Sequence, residues 1–422
     1  MAKGTASHHH ELRQTPTVSL ASAGGWLDHL TYRIVLQALR SGLLRSGGFS
    51  AAYRDGPAVA VGNDDGRFSV RVNSAQFLRH ILPSPDLAVG EGYMNGDWEL
   101  RNGDLAQFIG LLLQNEVVLE KSVIATSFRT IVQCLADPHR INDPRDSRRN
   151  AAHHYDIGND LYRAFLDEGM NYSCAFFEHP EQSLADAQIN KLRTSIGRLS
   201  VEPGMFVLDI GCGWGALTRM IAEETSAERV VGITLAEEQC KLARARIAAR
   251  HANRLSYLLE DYRNYARHSA ECYDRIISIG MFEHVGRRHF VDYFRAIAAM
   301  LKPGGRALVH SIMRPVPGYT SPWIDKYVFP GGYIPTLQET VNSAKAAGLI
   351  LPREPYIQDS FHYANTLRHW RRRFNENYAS LDHEHYDQRF RRMWNFYLAG
   401  SEAAFDANGF HVAQVVLEKK GP

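Results

Sequence analysis

The stretch Val207-Leu208-Asp209-Ile210-Gly211-Cys212-Gly213-Trp214-Gly215 decides the fold. Its first four residues are a short apolar run with one acid, the pattern of a strand buried on both faces. Three glycines then alternate with Cys212 and Trp214, and a helical pattern covers 215–226. Without a Cβ, these glycines let a bulky ligand approach the backbone. The spacing is G-x-G-x-G. A nicotinamide site wants G-x-G-x-x-G and an acid about 20 residues later for a ribose hydroxyl. The second strand here ends Gly232-Ile233-Thr234-Leu235, without that acid. The chain also lacks the G-x-x-x-x-G-K-[ST] loop that cradles nucleotide triphosphates.

Outward from this turn the pattern alternates. Candidate strands are 206–210, 230–234, 257–260, 275–279 and 307–311, with a late strand at 412–418. Candidate helices are 182–199, 215–226, 236–252, 287–301 and 336–347. Such alternation predicts an α/β fold: a Rossmann-like doubly wound sheet with helices on both faces. Ligand then belongs at the carboxyl ends of the strands, near the switch point. In that setting the glycine spacing resembles a class I methyltransferase motif. Gly211, Gly213 and Gly215 would cradle the methionine and ribose of S-adenosylmethionine. Asp261-Tyr262, after the third strand, occupies the usual adenine-contacting place. A helix N-cap with a packing aromatic is the competing reading of that pair.

Length and composition frame the rest. A chain of 422 residues exceeds one ordinary domain. With 45% hydrophobic and 22% charged residues, it is neither disordered nor fibrous. A net charge of +2 supplies no bulk attraction for nucleic acid, so none is expected as a partner. The five cysteines (134, 174, 212, 240 and 272) are scattered without a C-x-x-C pair, which predicts a reducing, cytoplasmic compartment and neither disulfides nor a zinc site. The triplet His8–His10 reads as part of a floppy tail. The longest apolar stretch, 105–113, is half of the roughly 20 residues a bilayer span needs. Membrane contact is therefore expected to be peripheral, at the inner face.

The organisation expected is a disordered leader (1–25), a small α+β domain (26–135), a polar linker (136–152) and a catalytic domain (153–422). In the first domain, 26–45 is patterned as an amphipathic helix. Residues 58–72 alternate like strands around the turn Gly62-Asn63-Asp64-Asp65-Gly66. A helix is expected near 74–81 and two apolar helices within 103–135.

Several runs together resemble the cyclopropane-fatty-acid synthases. They are His154-Tyr155-Asp156-Ile157-Gly158-Asn159-Asp160-Leu161-Tyr162, Met170-Asn171-Tyr172-Ser173-Cys174-Ala175-Phe176-Phe177 and the glycine loop with Trp214. Further along stand Ser278-Ile279-Gly280-Met281-Phe282-Glu283-His284-Val285-Gly286, His310-Ser311-Ile312, Phe329-Pro330-Gly331-Gly332 and His362-Tyr363-Ala364 with Thr366-Leu367. The likeness covers about 150–418. Gly90-Glu91-Gly92-Tyr93-Met94, with Gly96 and Trp98, is similar to the amino-terminal region of long bacterial members. The resemblance implies that Tyr172, Ser173, Gly211, Gly213, Thr234, Leu235, Gln239 and Tyr262 bind S-adenosylmethionine. It implies that Cys174, Glu283, His310, Ile312 and Tyr363 hold bicarbonate. It further implies unsaturated phospholipid acyl chains as substrate and a homodimer. One departure stands in the late helix, where Ser401 replaces a cysteine that members often carry.

The residue types suit that chemistry. An alkene is a weak nucleophile, so the protein must aim it at the sulfonium methyl and exclude water. Attack leaves a carbocation, and a base must take a proton from the new methyl group for a ring to close. A small bound anion can do this and offset the positive charge. Glu283 follows a buried strand directly, where an unpaired charge is costly; it is expected to accept hydrogen bonds from the anion's hydroxyl and from His310. Tyr363 can donate its phenolic hydrogen, and Cys174 and Ile312 are expected to offer backbone amides. Glu283, His284 and His310 make a poor metal site, since adjacent residues on one segment point in different directions. The arginine–aromatic runs 368–374 and 389–397 fit either anionic headgroups or solvated helix faces over an aromatic stripe. A branched-chain product, or methylation of a small molecule at N or O, would use the same scaffold.

Overall fold

Alternating apolar residues in the amino-terminal part build a small sheet. In a computed structural model, the described residues are 44, 46–74, 77, 80–81, 84–120 and 158–421, together with Tyr32; for 116–120 only the backbone is described. The leader, the linker, Cys134 and the start of the His154 motif lie outside them. The first sheet holds β1 (Gly48–Tyr53), β2 (Val59–Gly62), β3 (Ser69–Val72) and β4 (Trp98–Asn102), in the order β2-β1-β3-β4. The alternation over 58–72 resolves into β2 and β3. β1 and β4 were not anticipated. β1 is rich in small residues, and β4 starts only after a helix, α1 (Pro85–Asn95), is stopped by Gly96 at φ +78°. Helix α2 (Leu105–Glu120) follows.

The second sheet carries the site. In chain order its part of the molecule runs α3 (Asn159–Phe165), α4 (Leu184–Leu199), β5 (Phe206–Ile210), α5 (Ala216–Glu224), β6 (Arg229–Thr234), α6 (Glu237–Ala245), β7 (Leu255–Leu259) and α7 (Tyr262–Tyr265). Then come β8 (Tyr273–Ile279), α8 (Phe290–Met300), β9 (Leu301–Met313), α9 (Pro322–Tyr327), α10 (Leu337–Ala346), β10 (Leu349–Ile350) and β11 (Tyr356–Gln358). Helices α11 (Ser360–Asn377) and α12 (Gln388–Ala407) precede the last strand, β12 (His411–Lys419). The strand order is β10-β12-β9-β8-β5-β6-β7, with β11 also paired to β12. β5 through β9 are parallel to their neighbours, while β12 runs antiparallel to β9. The order reverses between β5 and β8, the switch point where a doubly wound sheet opens a crevice.

The expected strands and helices of this sheet are present, with shifted ends. The helix expected over 236–252 stops at Ala245 and is followed by a separate 3-10 turn, Ala249–His251. β9 is thirteen residues long because Leu301 pairs with Tyr273 and, after an irregularity over 302–305, Arg306 resumes the ladder opposite Arg275.

The arginine–aromatic runs lie on α11 and α12. The aromatics Trp370, Phe374 and Trp394 are fully buried. The arginines tie the helices to the rest of the protein. Arg371 bridges Asp104 and Glu402 at 2.9 and 3.0 Å, and Arg368 joins Glu402 at 3.0 Å. Arg373 donates to the carbonyls of Phe165 and Leu166, and Arg392 to those of Tyr93 and Trp98. These arginines serve as internal clasps, which supports the reading of helix faces laid over a buried aromatic stripe. Ala399 and Ala403 of α12 belong to the apolar core of the first sheet, where small residues let α2 approach. The two sheets thus share one helix although about 100 residues separate them in sequence.

Glu402 is only 3% exposed and depends on both arginines. Breaking a buried pair leaves an uncompensated charge. Glu402→Ala should therefore lower unfolding free energy by about 3 kcal/mol in urea denaturation; a change below about 1 kcal/mol would show that the clasp is ornamental.

Candidate active site

The chain leaves β5 through Gly211 and Gly213, both at positive φ (79° and 54°). Amides of Gly211 and Cys212 donate to the carbonyl of Ile233, which pins the turn to the end of β6. A Cβ on Gly213 would meet no atom within 4 Å and would project into open space. Gly215 does different work. Its φ is +82°, and a Cβ there would lie 2.6 Å from the Tyr257 ring, whose hydroxyl donates to the Gly215 carbonyl. Gly215 thus allows α5 to pack on β7, and it does not line the cavity. Trp214 is held from the other side: its indole donates to Asn159 at 2.7 Å, so the motif opening α3 buttresses the glycine turn.

A cavity of about 190 Å³ opens above these turns. Tyr172, Ser173, Gly211, Gly213, Thr234, Leu235, Gln239, Asp261 and Tyr262 all line it. Among the anticipated cofactor residues, only Gly215 is missing from that wall. Thr234 donates to Gln239 at 2.9 Å, so both polar groups survive burial at the end of β6. Asp261 and Tyr262 realise both readings at once. They line the cavity, yet Asp261 also caps α7 and takes a bidentate pair from Arg263, while Tyr262 packs edge-on against Tyr293. Open space over Gly213 and a wall of paired polar groups fit an elongated polar cofactor such as S-adenosylmethionine.

Sequence reasoning missed Lys191. Its ammonium is buried in the same wall and donates to Ser173 at 2.9 Å and Asn171 at 3.5 Å. Burial pulls its pKa down to about 8, with Asp167, Cys174 and Asp209 partly opposing the shift. A signal existed. On α4 the buried face is Leu184, Ala187, Gln188, Lys191, Leu192, Ser195 and Leu199, so three polar residues hold apolar positions of a helical stripe.

The second group of residues hangs on the exit from β8. Gly280, at φ +66°, donates its amide to the carbonyl of His310 on β9 and starts a 3-10 turn, Phe282–His284. Phe282 anchors that turn among Phe290, Tyr293 and Phe294. With Phe282 facing the core, Glu283 turns toward β9, and His284 faces the cofactor cavity edge-on to Phe329. Glu283 Oε1 accepts the Ile312 amide at 2.7 Å. Its Oε2 is buried and has no hydrogen-bond partner among the described residues. Burial raises this carboxyl to about 7, with the Ile312 amide opposing.

His310 is 2% exposed, stacked 5.9 Å from Phe176, and its Nδ1 lies 3.1 Å from Gln414 Nε2. Burial, then Lys191 and Arg198, press its pKa down to about 3. The Cys174 thiol donates to the Ala175 carbonyl at 3.3 Å, and burial pushes its pKa far up. Such a thiol is no nucleophile. Ile312 and Tyr363 pack against the apolar cluster that contains Cys174. Two expectations need correction. The Ile312 amide goes to Glu283 rather than standing open for an anion. The expected bond from His310 to Glu283 is not formed: Glu283 Oε1 takes the Ile312 amide and Oε2 has no partner among the described residues, while Nδ1 of His310 lies against Gln414. Ser401 lies one turn beyond Tyr397 on α12, and Tyr397 shares a 2.6 Å hydrogen bond with Tyr172. Among the described residues no group of three His, Cys, Asp or Glu could hold a metal ion, and no helix is long and apolar enough to cross a membrane.

Known proteins are similar to this chain. The family described as mycolic acid cyclopropane synthetase matches residues 142–415. The chain belongs to that family. Cyclopropane-fatty-acyl-phospholipid synthase of Escherichia coli is 33% identical over 357 residues, covering 83% of this chain and 87% of that protein. Tuberculostearic acid methyltransferase of Mycobacterium tuberculosis is 35% identical, covering 80% and 79%. Among solved structures, a mycolic acid cyclopropane synthase complexed with SAH and CTAB superposes with a TM-score of 0.57 at 30% identity, covering 64% of this chain and 98% of that one. Membership makes the protein an S-adenosylmethionine-dependent methyltransferase of the cyclopropane synthase family.

The raised carboxyl of Glu283 has a consequence for stability. The folded pKa lies near 7 against an ordinary 4.5, so the folded state holds this proton more tightly. The penalty is absent below pH 4.5, grows through the interval and is complete above pH 7. Glu283→Gln should therefore stabilise the protein at pH 8 by up to about 3 kcal/mol, with the gain vanishing near pH 4.5. Thermal unfolding of both proteins at the two pH values checks this; an equal gain at both would remove the carboxyl's charge as the cause.

Proposed function

We propose that the enzyme transfers a methylene unit from S-adenosylmethionine to the cis double bond of an unsaturated acyl chain in a membrane phospholipid, closing a cyclopropane ring. The observation that carries this reading is Glu283: a buried carboxyl with one oxygen held and the other unpartnered, one residue away from a cofactor-cavity side chain. The names of the two relatives, one for cyclopropane-fatty-acyl-phospholipid synthesis and one for tuberculostearic acid methylation, point to the same substrate class.

S-adenosylmethionine supplies a methyl group on positively charged sulfur, an electrophile strong enough for an alkene. The chain's own residues then do three things. Open space over Gly213, with Tyr172, Ser173 and Lys191 lining the same cavity, seats and orients the donor. Phe329 of the cavity wall is backed by Tyr397 and then Trp394, a contiguous aromatic cluster that keeps out water, which would trap a cation as an alcohol. Ring faces also favour positive charge. As the new C–C bond forms, the C–S bond breaks and the neighbouring chain carbon becomes a cation. Loss of a proton from the transferred methyl lets the ring close.

Bicarbonate, when bound, supplies the base for that proton. Cys174, Glu283, His310, Ile312 and Tyr363 would hold it. The fit rests on the orphan Oε2 of Glu283: with a pKa near 7, this oxygen takes or gives a proton at neutral pH, so it can face an anion without two full like charges meeting. Ile312 acts through its amide, which orients Glu283. We extend the reading to a homodimer working at the inner membrane surface, which the family resemblance supports. Val316 and Tyr319, 63% and 68% exposed on the loop after β9, add an apolar contact for a lipid surface.

A branched product is the second reading, favoured by the name of the tuberculostearic acid methyltransferase. It shares every step up to the cation and differs in how the cation is discharged: a chain carbon loses the proton, or a hydride shifts to the cationic carbon before the methyl loses its proton. Lipid mass spectrometry after incubation with unsaturated phosphatidylethanolamine vesicles separates the two. Gain of CH₂ with loss of the olefin indicates the ring, whereas gain with the olefin retained indicates the branch. No lipid product, with a small amine methylated instead, sinks both.

Glu283→Gln should bind S-adenosylmethionine normally in calorimetry while turnover falls about 100-fold or more, the scale of a lost proton-transfer group. In carbon dioxide-free buffer the wild type should lose activity and regain it on adding bicarbonate. Unchanged rates there would remove the anion from the mechanism.

A further inference from the structure

From Val412 to Leu417, β12 is apolar with one exception. In His411-Val412-Ala413-Gln414-Val415-Val416-Leu417, Gln414 is 1% exposed and stands directly opposite His310 in the β9–β12 ladder. A buried amide on a central strand costs free energy unless each of its groups is bonded. Here every one is. Arg198 of α4 donates to Gln414 Oε1 at 2.7 Å. Gln414 Nε2 lies 2.9 Å from Ser195 Oγ and 3.1 Å from His310 Nδ1.

Two independent constraints fix which way this amide points. A guanidinium only donates, so the group facing Arg198 must be the oxygen. Ser195 spends its hydroxyl hydrogen on the Lys191 carbonyl at 2.7 Å, so toward Gln414 it can only accept. The nitrogen therefore faces Ser195 and His310. An amide nitrogen donates, and the imidazole Nδ1 that receives it carries no hydrogen. The ring's single proton sits on Nε2.

We propose that Gln414, oriented by Arg198 and Ser195, locks His310 in the Nε2–H tautomer. His310 is then a permanent hydrogen-bond donor from Nε2 and cannot act as the base. The charged groups facing the ring, Lys191 and Arg198 on α4, are both cations and oppose a second proton, in line with its low pKa. Gln414 is thus a positioning residue: it touches no reacting atom and sets what His310 offers. The functional consequence rests on the reading of His310 given above, but the tautomer itself does not.

Long-range 1H–15N correlation on full-length, deuterated protein labelled at histidine nitrogens reads the tautomer directly. The His310 signals are assigned by their disappearance in His310→Gln. The expected result is a protonated Nε2 and a bare Nδ1, unchanged from pH 5.5 to 8.5. Gln414→Glu keeps the shape and the partner for Arg198 but replaces the donor with an acceptor. It should move the proton to Nδ1, or add a second one, and lower turnover about tenfold, the scale seen for partners that orient a functional imidazole. S-adenosylmethionine affinity should stay within twofold. Gln414→Leu, should it fold, is expected to give a mixture of tautomers. A wild-type His310 protonated at Nδ1 would overturn the lock, as would a Gln414→Glu protein whose tautomer does not change. A switched tautomer with full turnover would leave the lock standing and overturn His310 as the anion's donor.

Discussion

One hydrogen bond organises the catalytic end of this protein: the amide of Ile312 on Glu283. It joins the turn leaving β8 to the edge of β9 and holds a carboxyl in a place where charge is expensive. Everything nearby follows from keeping that carboxyl dry and aimed. Phe282 sinks into the core so that its neighbour must face the other way. Gly280 takes a positive φ so that the turn can be tight. The other oxygen, Oε2, is buried without a hydrogen-bond partner among the described residues.

Burial has opposite effects on the groups around this carboxyl, and the effects work together. It raises Glu283 and Cys174 and lowers Lys191 and His310. At neutral pH the result is a carboxyl poised to exchange its proton, a thiol that stays a thiol and an imidazole that stays neutral. The cation chemistry proposed above needs such an environment. Strong nucleophiles and stray water would intercept the intermediate, whereas neutral dipoles and aromatic faces steer it. The energetic cost falls on stability, in the usual pattern where a site is less stable than its scaffold.

The amino-terminal sheet is tied to the same scaffold through α11 and α12. Their aromatic faces fill the core beside Tyr162 and Phe165, and their arginines reach Asp104, Tyr93 and Trp98 on the other side. Tyr397 of α12 also touches Tyr172 at the cofactor wall. One helix therefore contacts the first sheet, the aromatic wall and the cofactor cavity.

The sequence alone determined the doubly wound sheet, because a buried parallel strand must be apolar throughout and its ligand turn must spare room with glycine. It also singled out nine of the residues that line the cavity, six of them at or just after the ends of β5, β6 and β7. It did not settle what 368–374 and 389–397 do, because arginine beside aromatic reads alike whether the partner is a headgroup or another helix; only packing supplied Asp104 and Glu402. It likewise could not show that the Ile312 amide belongs to Glu283, or that Gln414 stands across from His310. Those pairings depend on strand register and on how α4 lies over the sheet. Both are set by contacts between residues about 30 to more than 200 positions apart, which no local pattern encodes.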